Sequence, residues 1–250
     1  MIDPKKLDEI ARKLGIGQYA KPGTEIITEP IFRGPLTLYN NVEFEPKAVY
    51  DGNDKILFTY DESLTNLKNR KYERHARPIE TFGLLIADLE GKLSDEQNEI
   101  SKDMSNSYGE WFSLAVERKG NELICYEDPE NLVWDTTKNL YVVQGKLKYG
   151  GEKKFSIKGI ESQRWVNLQN FDTDLQKYLY GREGGDLPND LKTGYLRAQL
   201  YLPPDKTIWP AGRGYGSKYD IGSWNYINGA SRGVCSVFGN FSSTGTGAKK

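Results

Sequence analysis

Apolar positions along the chain alternate more often than they recur at helical spacing, the signature of half-buried strands. Residues 195–202 are the clearest case. Leu196, Ala198, Leu200 and Leu202 fall on one face, Tyr195, Arg197, Gln199 and Tyr201 on the other, and Pro203-Pro204 ends the strand. The stretches 111–117 and 122–126 flank Arg118-Lys119-Gly120-Asn121 and predict a hairpin. Another is predicted where 49–50 and 56–60 flank Asp51-Gly52-Asn53-Asp54. A third joins 140–149 to 152–160 through a two-residue turn at Gly150-Gly151.

Helical spacing is found in three places. Asp3 caps a helix with Pro4 at its first position, an apolar face of Leu7, Ile10, Ala11 and Leu14, and Gly15 at its end. So short a helix needs a docking surface. Ser94-Asp95-Glu96-Gln97 has capping-box form, but only Ile100 and Met104 follow as anchors, which predicts a mostly exposed helix. Asp172 caps a third through Leu175, Tyr178 and Leu179, ending at Gly181. There is no fixed-period repeat and no strand–helix alternation.

The expected fold is α+β and predominantly antiparallel β, a hairpin-rich sheet, sandwich or barrel. An N-terminal amphipathic helix and one or two short helices are added to it. Residues 1–16 form the docking helix, 17–241 a single β-rich domain with a subdivision point near 181–194, and 242–250 a tail.

Composition sharpens this only in part. The hydrophobic fraction is 37% over 250 residues, but 16 tyrosines, 9 phenylalanines and 5 tryptophans supply buried area per residue. Lysine and arginine number 34 against 35 acids, so global charge selects no partner. The start, Met1-Ile2-Asp3-Pro4-Lys5-Lys6, lacks an apolar signal region, and no apolar run is long enough for a membrane span. The expected location is the cytoplasm or an assembled particle. Cys125 and Cys235 do not make a disulfide framework.

Charge distribution is more informative. Residues 206–250 hold six basic side chains against Asp220 alone, and nine of the 26 glycines. Among them, Trp209, Arg213, Tyr215, Tyr219, Trp224 and Arg232 form a candidate interaction surface of flat rings and forked donors. A sugar-binding β module would use Trp209, Trp224 or Tyr215 as stacking platforms; core packing under glycine-rich loops explains the same rings.

A second basic cluster is Lys68, Arg70, Lys71, Tyr72, Arg74 and Arg77, where cations meet phosphates and the tyrosine stacks on a base. Its bland alternative is a solvated loop muted by Asp61, Glu62 and Glu73. Glu127 and Glu130, followed by Gln144-Gly145-Lys146 on an apolar strand, resemble the metal-dependent site of the PD-(D/E)xK nucleases in their glutamine form. That resemblance implies acids holding a metal ion and a lysine neutralising developing charge. A four-residue turn at 136–139 pairs Asp135 with Leu140 and Asn131 with Gln144. Glu130 then points away from Gln144 and Lys146, and Glu127 falls opposite Lys148. An ordinary hairpin explains the same residues.

His75 is the single histidine, which removes multi-histidine metal sites, and Cys235 lacks the signatures of a catalytic thiol. No catalytic residue, metal or cofactor is expected. The leading functional expectation is a non-catalytic structural or interaction protein, a subunit that contacts protein partners or copies of itself. A nucleic-acid-binding protein or nuclease is the alternative, and a sugar-binding module the third.

Overall fold

The computed structural model describes residues 37–40, 42–48, 58–106, 109–183, 186–189, 198–213, 219–223 and 229–236. The helix expected near the N-terminus, the turn at 51–54, positions 195–197 and the tail from 242 lie outside the described residues.

In chain order the elements are β1 (Thr37–Tyr39), β2 (Val42–Phe44), α1 (Tyr60–Asn69), β3 (Arg74–His75), α2 (Pro78–Leu89), α3 (Asp95–Asn106), β4 (Trp111–Lys119) and β5 (Glu122–Glu127). They continue with β6 (Leu132–Asp135), β7 (Leu140–Val143), β8 (Gly151–Ser156), β9 (Trp165–Asn167), α4 (Thr173–Tyr180), β10 (Gln199–Tyr201), β11 (Ile208–Arg213), β12 (Ile221–Ser223) and β13 (Gly233–Ser236). The fold is α+β with mostly antiparallel sheets.

The largest sheet is a curled half-barrel in the order β8-β5-β4-β11-β12-β10-β9. A four-stranded sheet runs β1-β2-β13-β3, and β6 and β7 form a separate hairpin. Among the described strand pairs only β10–β12 is parallel.

Period-two alternation explains β4. Phe112, Leu114 and Val116 face the main core, together with Leu123 and Cys125 of β5, Leu200 and Ile221. Phe82, Leu84, Leu85 and Ile86 of α2 and Leu175, Leu179 and Tyr180 of α4 close that core. Each fully buried leucine or phenylalanine contributes roughly 1.5–3 kcal/mol. Trp111 and Ala115 point the other way, into a second cluster with Ile124, Tyr126, Leu132, Tyr141 and Tyr60. The β6–β7 hairpin and α1 therefore cover the back of the sheet, and β4 is buried on both faces.

Local signals settle several helix ends. The Asp172 carboxylate accepts from the Leu175 N–H at 2.7 Å, and Gly181 ends α4 at φ 75°. Ser94 and Gln97 exchange the two bonds of a capping box at 3.0 and 3.3 Å. β4 and β5 form the expected hairpin, but Arg118 and Lys119 belong to the strand and only Gly120 and Asn121 turn it, with Lys119 opposite Glu122.

Two expectations are corrected. The strand expected at 56–60 does not run on through Thr59 and Tyr60, because Thr59 caps α1 through a reciprocal pair with Glu62, and Tyr60 is its first residue. The Gly150-Gly151 turn does not join two paired strands either. β7 stops at Val143, and β8 pairs with β5, with Leu123 opposite Phe155. Phe155 packs on the main core there, an attraction that no local turn signal carries.

Candidate functional site

The basic run at 68–77 leaves α1, forms β3 and enters α2. Lys68 and Lys71 are exposed, Arg70 and Arg74 turn inward, and Arg77 is half-buried. Arg70 ion-pairs with Glu45, donates to Ser231 Oγ at 3.0 Å and lies over the Tyr72 ring at 5.0 Å. Arg74 clasps Glu80 at 2.6 and 2.8 Å. Arg77 donates to Asp128 at 2.5 Å and faces Glu127 at 3.7 Å. Tyr72 is buried too. Arg70, Arg74 and Tyr72 are engaged inside the protein, and Arg77 is paired but half-buried.

Three of the six residues read as an interaction surface in the C-terminal fifth face inward instead. Arg213, Tyr219 and Arg232 are buried. Arg232 Nε donates to Glu110 at 2.9 Å, its Nη2 to Asp103 at 2.5 Å, and its Nη1 to the carbonyls of Glu45 and Pro46 at 2.6 and 2.8 Å. Arg213 shares Glu110 at 3.3 Å. Burial opposes the charge on Arg232, but Glu110 and Asp103 outweigh it and raise its pKa. Trp209 is half-buried, and Tyr215 and Trp224 lie outside the described residues.

The nuclease-like residues are not gathered. Gln144 and Lys146 sit on an exposed bend beyond β7, and Asn131 Nδ2 holds their carbonyls at 2.5 and 2.8 Å. The hairpin register is as expected, with Asp135 opposite Leu140 and the Gln144 N–H on the Asn131 carbonyl at 2.9 Å. Glu130 is exposed and donates its N–H to the Lys148 carbonyl at 2.9 Å. Glu127 lies opposite Gly151 and not Lys148, since β8 displaced the expected partner. Among the described residues no three His, Cys, Asp or Glu side chains are grouped to hold a metal ion.

The reactive side chains are enclosed. His75 Nε2 lies 2.6 Å from Ser63 Oγ, and both residues are wholly buried. Burial, reinforced by Arg70, pushes the His75 pKa down to about 3. Cys125 lies in the main core, where burial raises its thiol pKa, and Cys235 packs with Leu67 and Tyr72.

What the sequence did not announce is the contrast between the two edges of the half-barrel. Among the described strands β9 ends the sheet on one side, and the strand, Trp165-Val166-Asn167, carries no charge; Arg164 is its nearest cation. The Leu202 N–H bonds the Arg164 carbonyl at 2.7 Å, so by alternation Val166 pairs toward Leu200. Trp165 therefore turns its N–H and C=O out of the sheet. Its side chain is 46% exposed. The ring lies 4.8 Å from Tyr201, which stacks on Trp209 at 6.4 Å and 13°. At the opposite edge, β8 is Gly-Glu-Lys-Lys-Phe-Ser, and its lysines are exposed. Charge on one edge strand and none on the other is the pattern of one protected and one open edge.

No family model matches the chain, and no curated protein or solved structure matches it.

Proposed function

We propose that the chain is a non-catalytic interaction protein, a subunit of a larger assembly that takes a protein partner along β9. The carrying observation is the edge at Trp165, where outward backbone groups adjoin one exposed ring backed by the half-buried Tyr201 and Trp209. An added strand would gain main-chain hydrogen bonds there, and the rings would supply side-chain selectivity. Large exposed aromatics are also the residues that anchor protein interfaces.

The test is a photo-cross-linking residue at position 165 in cells that make the chain, compared with the exposed position 92. Discrete adducts at 165 alone support the reading, and light scattering of Trp165→Lys separates self-association from a foreign partner. Equal cross-linking at both positions, with a monomer throughout, would remove it.

One observation favours a second reading. The Trp165, Tyr201 and Trp209 rings sit beside an amide pair, with Gln199 Nε2 donating to Asn167 Oδ1 at 2.5 Å. Rings beside amide donors and acceptors also suit a sugar. Quenching of tryptophan fluorescence by neutral oligosaccharides, lost in Trp165→Ala, would favour that ligand.

A further inference from the structure

The lysine edge has a chemistry of its own. Residues 136–160 contain six lysines and one acid, Glu152, in a chain of net charge −1. Lys146 and Lys148 lead into β8, Lys153 and Lys154 stand on it, and Lys158 follows; all are exposed. The strand spans about 20 Å, with Lys153 on the face of Cys125 and Phe155 and Lys154 on the face of Ile124 and Tyr126, so the cations flank both sides of the edge.

The acids around the edge are largely engaged. Glu152 faces Lys154 at 3.3 Å and accepts from the Tyr149 hydroxyl at 3.0 Å. Glu117 faces Lys119 at 3.0 Å and accepts from Tyr126 at 2.6 Å. Lys138, at the hairpin tip, is held by Asp135 at 3.1 Å. Lys146, Lys148, Lys153 and Lys158 have no ion pair among the described residues, against Glu122 at one end of the strand and Glu130 beside Lys148.

At this edge Tyr149 is 43% exposed, its ring backed by Tyr126 at 4.9 Å. Unpaired cations on both sides of an edge strand, with an exposed ring beside them, suit a flexible polyanion that carries stackable bases and can wrap the edge. A bilayer would call for exposed apolar side chains beside the lysines, and β8 offers only the half-buried Phe155. A duplex keeps its bases stacked inside, leaving Tyr149 nothing to receive.

We propose that the β8 edge binds single-stranded nucleic acid, with Lys146, Lys148, Lys153 and Lys158 on the phosphates and Tyr149 stacked on a base. This site is separate from the β9 edge, and its failure leaves the protein-partner reading untouched.

The experiment is fluorescence anisotropy of a labelled single strand of about 16 nucleotides with the full chain over a salt series. Neutralising four phosphate contacts gives a log–log salt slope of roughly −3. Changing Lys146, Lys148, Lys153 and Lys158 to Gln flattens that slope and weakens binding by at least about tenfold at low salt. Tyr149→Ala weakens binding about fivefold or more with the slope kept. Changing Lys92, Lys102 and Lys177 to Gln, which face Glu90, Glu99 and Glu183, leaves binding unchanged. Absence of low-salt binding overturns the proposal, as does equal loss in the control variant. Equally tight binding of poly-glutamate or of phosphatidylserine vesicles reassigns the edge to anions in general and also overturns it.

Discussion

His75 Nε2 and Ser63 Oγ lie 2.6 Å apart with both residues wholly buried, and no described residue bonds His75 Nδ1. A proton on Nε2 leaves only a bare lone pair at Nδ1, whereas the other tautomer would bury an unpaired N–H. The pair thus joins α1 to β3 through a neutral imidazole, beside the Tyr60 ring at 5.6 Å.

This placement predicts an acid sensitivity. The His75 pKa is about 3 in the fold and roughly 6.5 in the unfolded chain. Between these values the unfolded chain binds the extra proton, so stability falls as pH falls. The loss from pH 7 to pH 4 is on the order of 3 kcal/mol. Urea unfolding of the wild type and of His75→Gln at pH 7, 5.5 and 4 measures it. Carboxylate contributions are common to both proteins, so the variant shows a smaller fall by about that amount. Identical pH slopes would show that the buried imidazole does not carry the effect.

The Glu110 cluster predicts a larger and pH-7-visible effect. Arg232→Met removes the donor to Glu110 and Asp103 and empties the bonds to the Glu45 and Pro46 carbonyls. Glu110 then keeps the Arg213 contact at 3.3 Å in a buried setting. Breaking one side of a buried ion cluster costs about 3–5 kcal/mol, because the remaining charge is left undersolvated. Asp103→Asn costs about 1 kcal/mol, since that carboxylate is partly exposed and Arg232 retains Glu110. Chemical denaturation of the two variants should rank them in that order; a reversed ranking would place the weight of the cluster on Asp103.

Elements with local determinants were legible before the fold was known. Asp172 to Gly181 spelled out α4, Ser94 and Gln97 the start of α3, and Gly120-Asn121 the β4–β5 turn. Two helices were missed although their signals were present. Thr59 with Glu62 marks α1, and Pro78 followed by Glu80 marks α2, but the β-branched and aromatic residues before Tyr60 read as strand. The arginines were misread for a different reason. Their carboxylates lie 25 to 129 positions away in the chain for Glu45 with Arg70, Asp128 with Arg77 and Asp103 with Arg232, so a local run looked cationic where the fold neutralises it. The contrast between β8 and β9 depends on which strands end the sheet, and strand order is a long-range property.

Two glycines near the C-terminal strand predict sharp intolerance. A Cβ at Gly233 would lie 2.1 Å from the Tyr72 ring, and one at Gly229 would lie 2.3 Å from Trp111 Nε1. The Trp111 indole N–H is held on the Phe58 carbonyl at 2.9 Å, so that ring cannot step aside without losing a bond. Gly229→Ala and Gly233→Ala each destabilise by about 1–3 kcal/mol or more through overpacking. Tyr72→Ala opens the space beside position 233 and not beside 229. Combining it with each glycine variant should therefore relieve Gly233→Ala alone, as read by thermal unfolding. Relief of both would point to a general loosening of β13.

The thiols give the last prediction. Cys125 belongs to the main core and Cys235 to a separate cluster with Leu67 and Tyr72, and both are free. A bridge between them would require two packed regions to merge, so the native protein keeps two thiols under oxidising conditions. Burial raises the Cys125 pKa and withholds the thiolate that disulfide reagents need. Cys235 is enclosed but lies nearer the rim of its smaller cluster, at 9% exposure against 1% for Cys125. In native buffer a disulfide-exchange reagent should modify Cys235 slowly and Cys125 only at the rate of global unfolding. Both should react at once in denaturant. Mass spectrometry of the time course separates the two sites, and fast native labelling of Cys125 would show that the β4–β5 core opens without unfolding.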